Sequence, residues 1–175
     1  MKTIILSAAV AVAVPAAAAQ FDVTRLFTHG AWQVEHTYDT TDGQVWCSAE
    51  TSNRAGQVFS MTAYDNGGVV VIVMDPRWSA SARPVRFRID IDYSQWTIDG
   101  KADGMAASVS LNADANAEEF ITELAQGTRV AVYNESGTRL AAFSLNGSGA
   151  ALGALADCWS RIQTRDPFIN AADPF

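Results

Sequence analysis

The chain has 175 residues, 49% of them hydrophobic and 18% charged, a balance that suits one globular domain and excludes disordered or collagen-like sequence. Twelve Lys and Arg stand against nineteen Asp and Glu, a net charge of −7, and only Arg83, Arg86 and Arg88 cluster. Because binding a phosphate backbone relies on concentrated positive charge, nucleic acid is excluded as a partner.

Residues 1–19 read as a secretory signal peptide: Lys2 supplies the positive start, 4–14 an apolar run, and Pro15 with four alanines a small-residue cleavage region. The apolar run is shorter than the roughly 20 residues of a membrane-spanning helix, so no transmembrane span is expected. The mature domain is then 20–165, exported to the periplasm or secreted. Oxidation becomes possible there. Cys47 and Cys158 are the only cysteines, in no metal-ligand spacing, and are expected to form a disulfide, with two buried free thiols as the competing reading.

From Trp32 onward, period-two alternation predicts strand after strand. Trp32, Val34 and His36 alternate with Gln33, Glu35 and Thr37, and Thr41, Asp42 and Gly43 turn the chain. Val45, Cys47 and Ala49 share one strand face, which places Cys47 inward. Phe59, Met61 and Ala63 follow, then a hairpin signal at Asp65, Asn66, Gly67 and Gly68. Val69 to Met74 is apolar at every position, as for a central strand covered on both faces. Val85, Phe87, Ile89 and Ile91 then face one way while Arg86, Arg88, Asp90 and Asp92 face the other. A further hairpin is expected to turn at Asp99, Gly100 and Lys101.

Helical spacing of Ala117, Phe120, Ile121 and Leu124, with Glu118 and Glu119 early and Gly127 after, predicts a short amphipathic helix. Two strands joined at 134–137 come next. A second helix is expected to be capped by Ser148, with Leu152, Leu155, Trp159 and Ile162 as its stripe and Cys158 beside it. The segment 166–175 reads as an extended tail that repeats Asp-Pro-Phe, ending in Phe168 and again in Phe175, two aromatic anchors for docking, with a disordered tail or a strap on its own domain as the competing readings. The fold class is therefore mainly β, a β-sandwich or curved antiparallel sheet, with two covering α-helices.

No nucleophile elbow, zincin motif, Walker loop or dinucleotide fingerprint occurs, so no catalytic residue and no cofactor are assigned. His29, His36, Asp39 and Asp42 match no metal-ligand spacing, and no metal is expected. Asp90 and Asp92 invite comparison with a glycosidase carboxylate pair. Arg86 and Arg88 on the same face argue instead for ionised acids in a salt-bridged ladder. Trp78 and Trp96 flank that strand. Together with Arg86, Arg88, Asp90 and Asp92, and with Phe168 and Phe175 of the tail, they form the candidate partner-binding set.

The order of pieces resembles the invasion-associated locus B family, small exported proteins of alphaproteobacteria. The matching residues are Gly30-Ala31-Trp32-Gln33-Val34, then Phe120 to Leu124 with Gly127 leading into Val130 and Val132. Phe143-Ser144-Leu145-Asn146-Gly147-Ser148 follows, with Ala150, Ala151, Leu152 and Leu155. The resemblance implies a β-rich periplasmic fold and carries over no catalytic residue. Family members often have additional cysteines in the strand region, whereas here one lies in the last helix. The reading reached is a non-enzymatic binding or accessory protein with a protein partner in the periplasm or envelope. Its alternatives are a hydrolase inhibitor presenting the segment 75–84, and a carbohydrate-active enzyme using Asp90 and Asp92.

Overall fold

The computed structural model describes residues 20–112 and 114–163. The expected signal peptide and the repeated tail, with Phe168 and Phe175, lie outside the described residues. Ten strands come in chain order: β1 (Phe21–His29), β2 (Trp32–Asp39), β3 (Val45–Ser52), β4 (Val58–Tyr64), β5 (Val69–Met74), β6 (Ala80–Ile91), β7 (Ser94–Gly104), β8 (Ala106–Leu111), β9 (Arg129–Asn134) and β10 (Arg139–Ser144). Two helices, α1 (Ala115–Gln126) and α2 (Ser148–Gln163), follow β8 and β10.

All ten strands join one antiparallel sheet in the order β1-β2-β3-β4-β5-β8-β7-β6-β9-β10, so the curved sheet is realised and the sandwich is not. Alternation sets the inner face. Trp32, Val34, Cys47, Ala49, Phe59, Met61, Val71, Val73, Phe87, Ile89, Val130, Val132 and Phe143 are all buried in a continuous core. The right-handed twist of a long sheet bends it round on itself. Here it brings the outer edge of β10 against β2 and the β3–β4 turn.

That meeting is made by side chains, not by a strand ladder. The carbonyls of Leu140, Ala142 and Ser144, alternate residues of β10, accept hydrogen bonds from Gln57 Nε2 (2.9 Å), Asn53 Nδ2 (3.1 Å) and Trp32 Nε1 (3.2 Å). Phe59 and Phe143 pack across the same seam, their centroids 5.8 Å apart. An edge strand otherwise offers its unpaired groups to other chains, and these donors occupy them.

The inner face of β1 to β4 is covered by α2. Ala151, Leu152, Leu155, Cys158 and Ile162 make its buried stripe. Cys47 and Cys158 are disulfide-bonded with Cα atoms 6.1 Å apart, stapling α2 to β3 across 111 residues of chain. At α1, Asp114 accepts a hydrogen bond from the Ala117 N–H at 3.0 Å as N-cap, and the Phe120 ring meets Trp96 edge-on at 5.4 Å.

Several local expectations are corrected. β1 precedes the first expected strand; Phe21, Val23 and Leu26 are exposed, so no buried stripe announces it. Gly100 does not turn the chain but lies inside β7, which reverses only at Gly104 (φ +55°). A Cβ on Gly100 would collide with the Ser108 carbonyl and lie 2.8 Å from the Phe87 ring, so glycine permits close strand packing there. β5 is buried at Val71 and Val73 but only half-buried at Val70, Ile72 and Met74, so one face alone meets the core. Ser148 is not a capping acceptor: fully buried, its Oγ donates to the Leu124 carbonyl at 2.6 Å and ties α2 to the end of α1.

Candidate ligand-binding cleft

Where α2 does not reach, between the β5–β6 connection, the first half of β6 and the β9–β10 turn, the surface opens into a cleft of about 960 Å³. Register explains the opening. β9 pairs with β6 only from Phe87, opposite Asn134, to Ile91, opposite Val130, so residues 80–86 have β7 on one side and the cleft on the other. Pro84 sits in this stretch, where a residue lacking an N–H is tolerated because one side of the strand carries no ladder. The segment 75–84 is thus part loop and part strand: residues 75–79 connect β5 to β6, and 80–84 begin β6. Asp75 is buried.

Val85, Phe87, Ala102, Ala106, Ala107 and Leu140 line the floor, and the half-buried Trp78 forms one wall. The three alanines leave volume that larger side chains would fill. Arg77, Arg83 and Arg86 stand at the rim with one acid, Glu135.

The rim is built from a buried carboxylate upward. Asp75 Oδ1 accepts from the Arg77 backbone N–H (2.9 Å) and Nε (2.9 Å), while Oδ2 accepts from Arg77 Nη2 (2.7 Å) and Gln57 Nε2 (2.7 Å). The Arg77 guanidinium, then its backbone and the Gln57 amide, hold the Asp75 carboxyl well below the usual carboxylate range against the opposing effect of burial. Because Gln57 also holds the β10 edge at Leu140, one residue couples the seam to the cleft wall. Across the strands, Arg86 makes a two-pronged pair with Asp99 (2.7 and 3.2 Å), which lowers the Asp99 pKa and raises that of Arg86. Among the described residues the Arg83 side chain hydrogen-bonds only to the Ser81 carbonyl, at 3.3 Å.

Of the residues singled out by sequence, Trp78 and Arg86 both line this cleft. Arg88 and Asp90 pair with each other on the outer sheet face (2.7 Å), with the Arg88 guanidinium 4.5 Å above the Tyr133 ring. Asp92 leaves the expected ladder. It follows the end of β6 with φ +47° and accepts hydrogen bonds from Thr128 N (2.8 Å), Thr128 Oγ1 (2.6 Å) and Arg129 N (3.1 Å). Those bonds, Thr128's hydroxyl first, lower its pKa, so it clamps a turn and is not a proton donor held neutral. Trp96 lies apart from the cleft, its indole N–H donating to Glu123 of α1 at 2.7 Å. Sequence reasoning missed Asp75, Arg77, Gln57 and Leu140 as parts of this site. The Asp-Pro-Arg run at 75–77 was the available signal, since aspartate often accepts the backbone N–H two residues on. Among the described residues no three His, Cys, Asp or Glu side chains gather to hold a metal ion, and no helix is long and apolar enough to cross a membrane.

Fold and site together define a mainly β domain, one curled antiparallel sheet with two helices and an arginine-rimmed cleft on the half that the helix α2 leaves bare. Among solved structures it is similar to the crystal structure of invasion associated protein B from Bartonella henselae, with a TM-score of 0.52 over 77% of this chain and 97% of that one. Sequence identity is 15%, so the likeness is one of fold. No protein-family model and no curated protein matches the chain.

Proposed function

We propose that this chain is an exported binding or accessory protein of the periplasm or envelope that engages a protein partner and does not turn over a substrate. One observation carries the reading: the cleft joins an apolar floor to a rim of arginines, two of which are held by the aspartates Asp75 and Asp99. Asp75 and Asp99 hold arginines, Asp90 holds Arg88 and Asp92 clamps a turn. General acid catalysis needs a carboxyl poised near the working pH, and the hydrogen bonds of Asp75, Asp92 and Asp99 lower their pKa instead. Aromatic and arginine side chains around a partly apolar depression are instead what recognition surfaces concentrate. The disulfide supports an oxidising compartment.

The test is capture from envelope extracts by the full chain and by Trp78→Ala and Arg86→Glu variants, read by mass spectrometry. A partner retained by the parent chain and lost by both variants supports the reading. Capture indifferent to both substitutions, or turnover of a glycan or peptide substrate that Asp90→Asn abolishes, overturns it.

A further inference from the structure

The reading of the cleft as a binding surface can be taken to a ligand class. We propose that the cleft takes a single-chain anionic amphiphile, a long-chain carboxylate, with its chain along the Val85, Phe87 and Leu140 floor and its head at the arginine rim; this rests on the cleft being the binding surface.

Volume comes first. The roughly 960 Å³ opening is within the range of small-molecule sites, and its floor is carried by strands β6, β7, β8 and β10 of the sheet. Charge selects the head. The chain is acidic overall, at −7, and of the three arginines lining the cleft Arg77 and Arg86 are answered by Asp75 and Asp99, which leaves Arg83 as the cation without an acidic partner of its own. Arg77 and Arg86 are each held by a carboxylate, Asp75 and Asp99, and strand alternation turns Arg86 to the face opposite Val85 and Phe87, so neither is the partner of the head group. Arg83 has no acidic partner among the described residues and is the guanidinium free to take one.

The strand edge argues against an extended peptide as the occupant. Pro84 lies in the part of β6 that faces the cleft without a neighbouring strand, and its missing N–H interrupts the row of donors that an added strand would use. An acyl chain needs no such donors. It needs apolar contact along its length and one charge-assisted set of hydrogen bonds at its end.

The experiment is titration calorimetry of the oxidised protein with dodecanoate, tetradecanoate, dodecanol and acetate, plus quenching of Trp78 fluorescence by a brominated long-chain carboxylate. Expected results are one-to-one binding of dodecanoate, roughly tenfold tightening for the two extra methylenes of tetradecanoate, and binding at least tenfold weaker for dodecanol and for acetate. Arg83→Glu, an exposed change that leaves the melting temperature within about two degrees, should weaken dodecanoate at least tenfold and leave dodecanol unchanged. Trp78→Phe should lose the quenching while keeping the calorimetric signal. Equal affinity for acid and alcohol, an Arg83→Glu variant that binds dodecanoate like the parent, or binding only of an acidic peptide or of vesicles of phosphatidylglycerol would overturn the proposal. If no probe binds while partner capture still depends on Trp78 and Arg86, this inference fails and the binding reading stands. If dodecanoate binds as expected while capture ignores both residues, the protein-partner reading fails and this inference stands.

Discussion

Two halves of the same sheet are finished in different ways. Over β1 to β4 the inner face is sealed by α2, whose leucines, isoleucine and cysteine fill the space and whose disulfide locks the fit. Around β6, β8 and β10 three alanines, a proline and a strand that outruns its neighbour leave the space open, with arginines at its mouth. The contrast teaches where each half spends its sequence. Large apolar residues on the sealed half supply stability through burial, whereas small residues on the open half give up packing and keep a surface available.

The comparison can be broken most forcefully at the staple. Replacing Cys47 and Cys158 by alanine removes a cross-link spanning 111 residues. A loss of about 4 to 5 kcal/mol is expected in the chain-entropy account, measurable as a shift of the urea midpoint against the oxidised parent. An unchanged midpoint would mean that α2 holds to the sheet without it. Leu155→Ala, in the buried stripe of α2, should cost about 2 to 5 kcal/mol by leaving a cavity. The corresponding truncation on the open half, Val85→Ala, starts from a half-buried side chain and should cost under about 1.5 kcal/mol. Equal losses at the two positions would erase the distinction between sealed and open halves.

Gln57→Ala acts on both the seam and the cleft wall, since it removes the donor to Leu140 and one of the donors to Asp75. Leaving the Leu140 carbonyl without its partner should cost about 1 to 3 kcal/mol. Binding at the rim should weaken at the same time, as the Asp75 carboxylate that holds Arg77 loses one of its donors. A stability loss with rim binding intact would show that the seam and the wall are independent.

Acid provides a milder probe. Asp75, Asp92 and Asp99 all have folded pKa values below their ordinary ones, from Arg77, Thr128 and Arg86 respectively. Stability from a depressed carboxylate is present above its unfolded pKa, about 4, and is lost as pH falls through the folded value. The melting temperature should therefore drop from about pH 4 downward, and Asp75→Asn should flatten that drop more than Asp99→Asn. A parent whose melting temperature is constant over that interval would show that these carboxylates do not link folding to protons. The smallest effect belongs to the exposed β1: Val23→Thr should change stability by under about 0.5 kcal/mol.

Much of the sheet was legible because one face of it is buried. The alternation of Val85, Phe87, Ile89 and Ile91 with Arg86, Arg88 and Asp90 marks β6, and the same rule turned Cys47 inward towards α2. β1 was illegible for the complementary reason, because its exposed residues leave no contrast between faces. Gly100 shows the limit of local turn signals: Asp-Gly reads as a turn until the packing of Phe87 and Ser108 is known. Of the candidate site, Trp78 and Arg86 were legible as an exposed aromatic and a charge near the same strand, but their meeting with Leu140 and Asn134 depends on how far β9 runs beside β6.

By itself the sequence determined a mainly β domain with two amphipathic helices and two inward cysteines placed to meet, since periodicity and turn chemistry act between residues only a few positions apart. The tertiary structure alone decided that the strands make one curled sheet, that Gln57 reaches both Asp75 and Leu140, and that Asp92 leaves its ladder for Thr128. The Gln57 and Asp92 contacts join residues 18 to 83 positions apart and, like the sheet order, are set by register and twist, which no local pattern encodes.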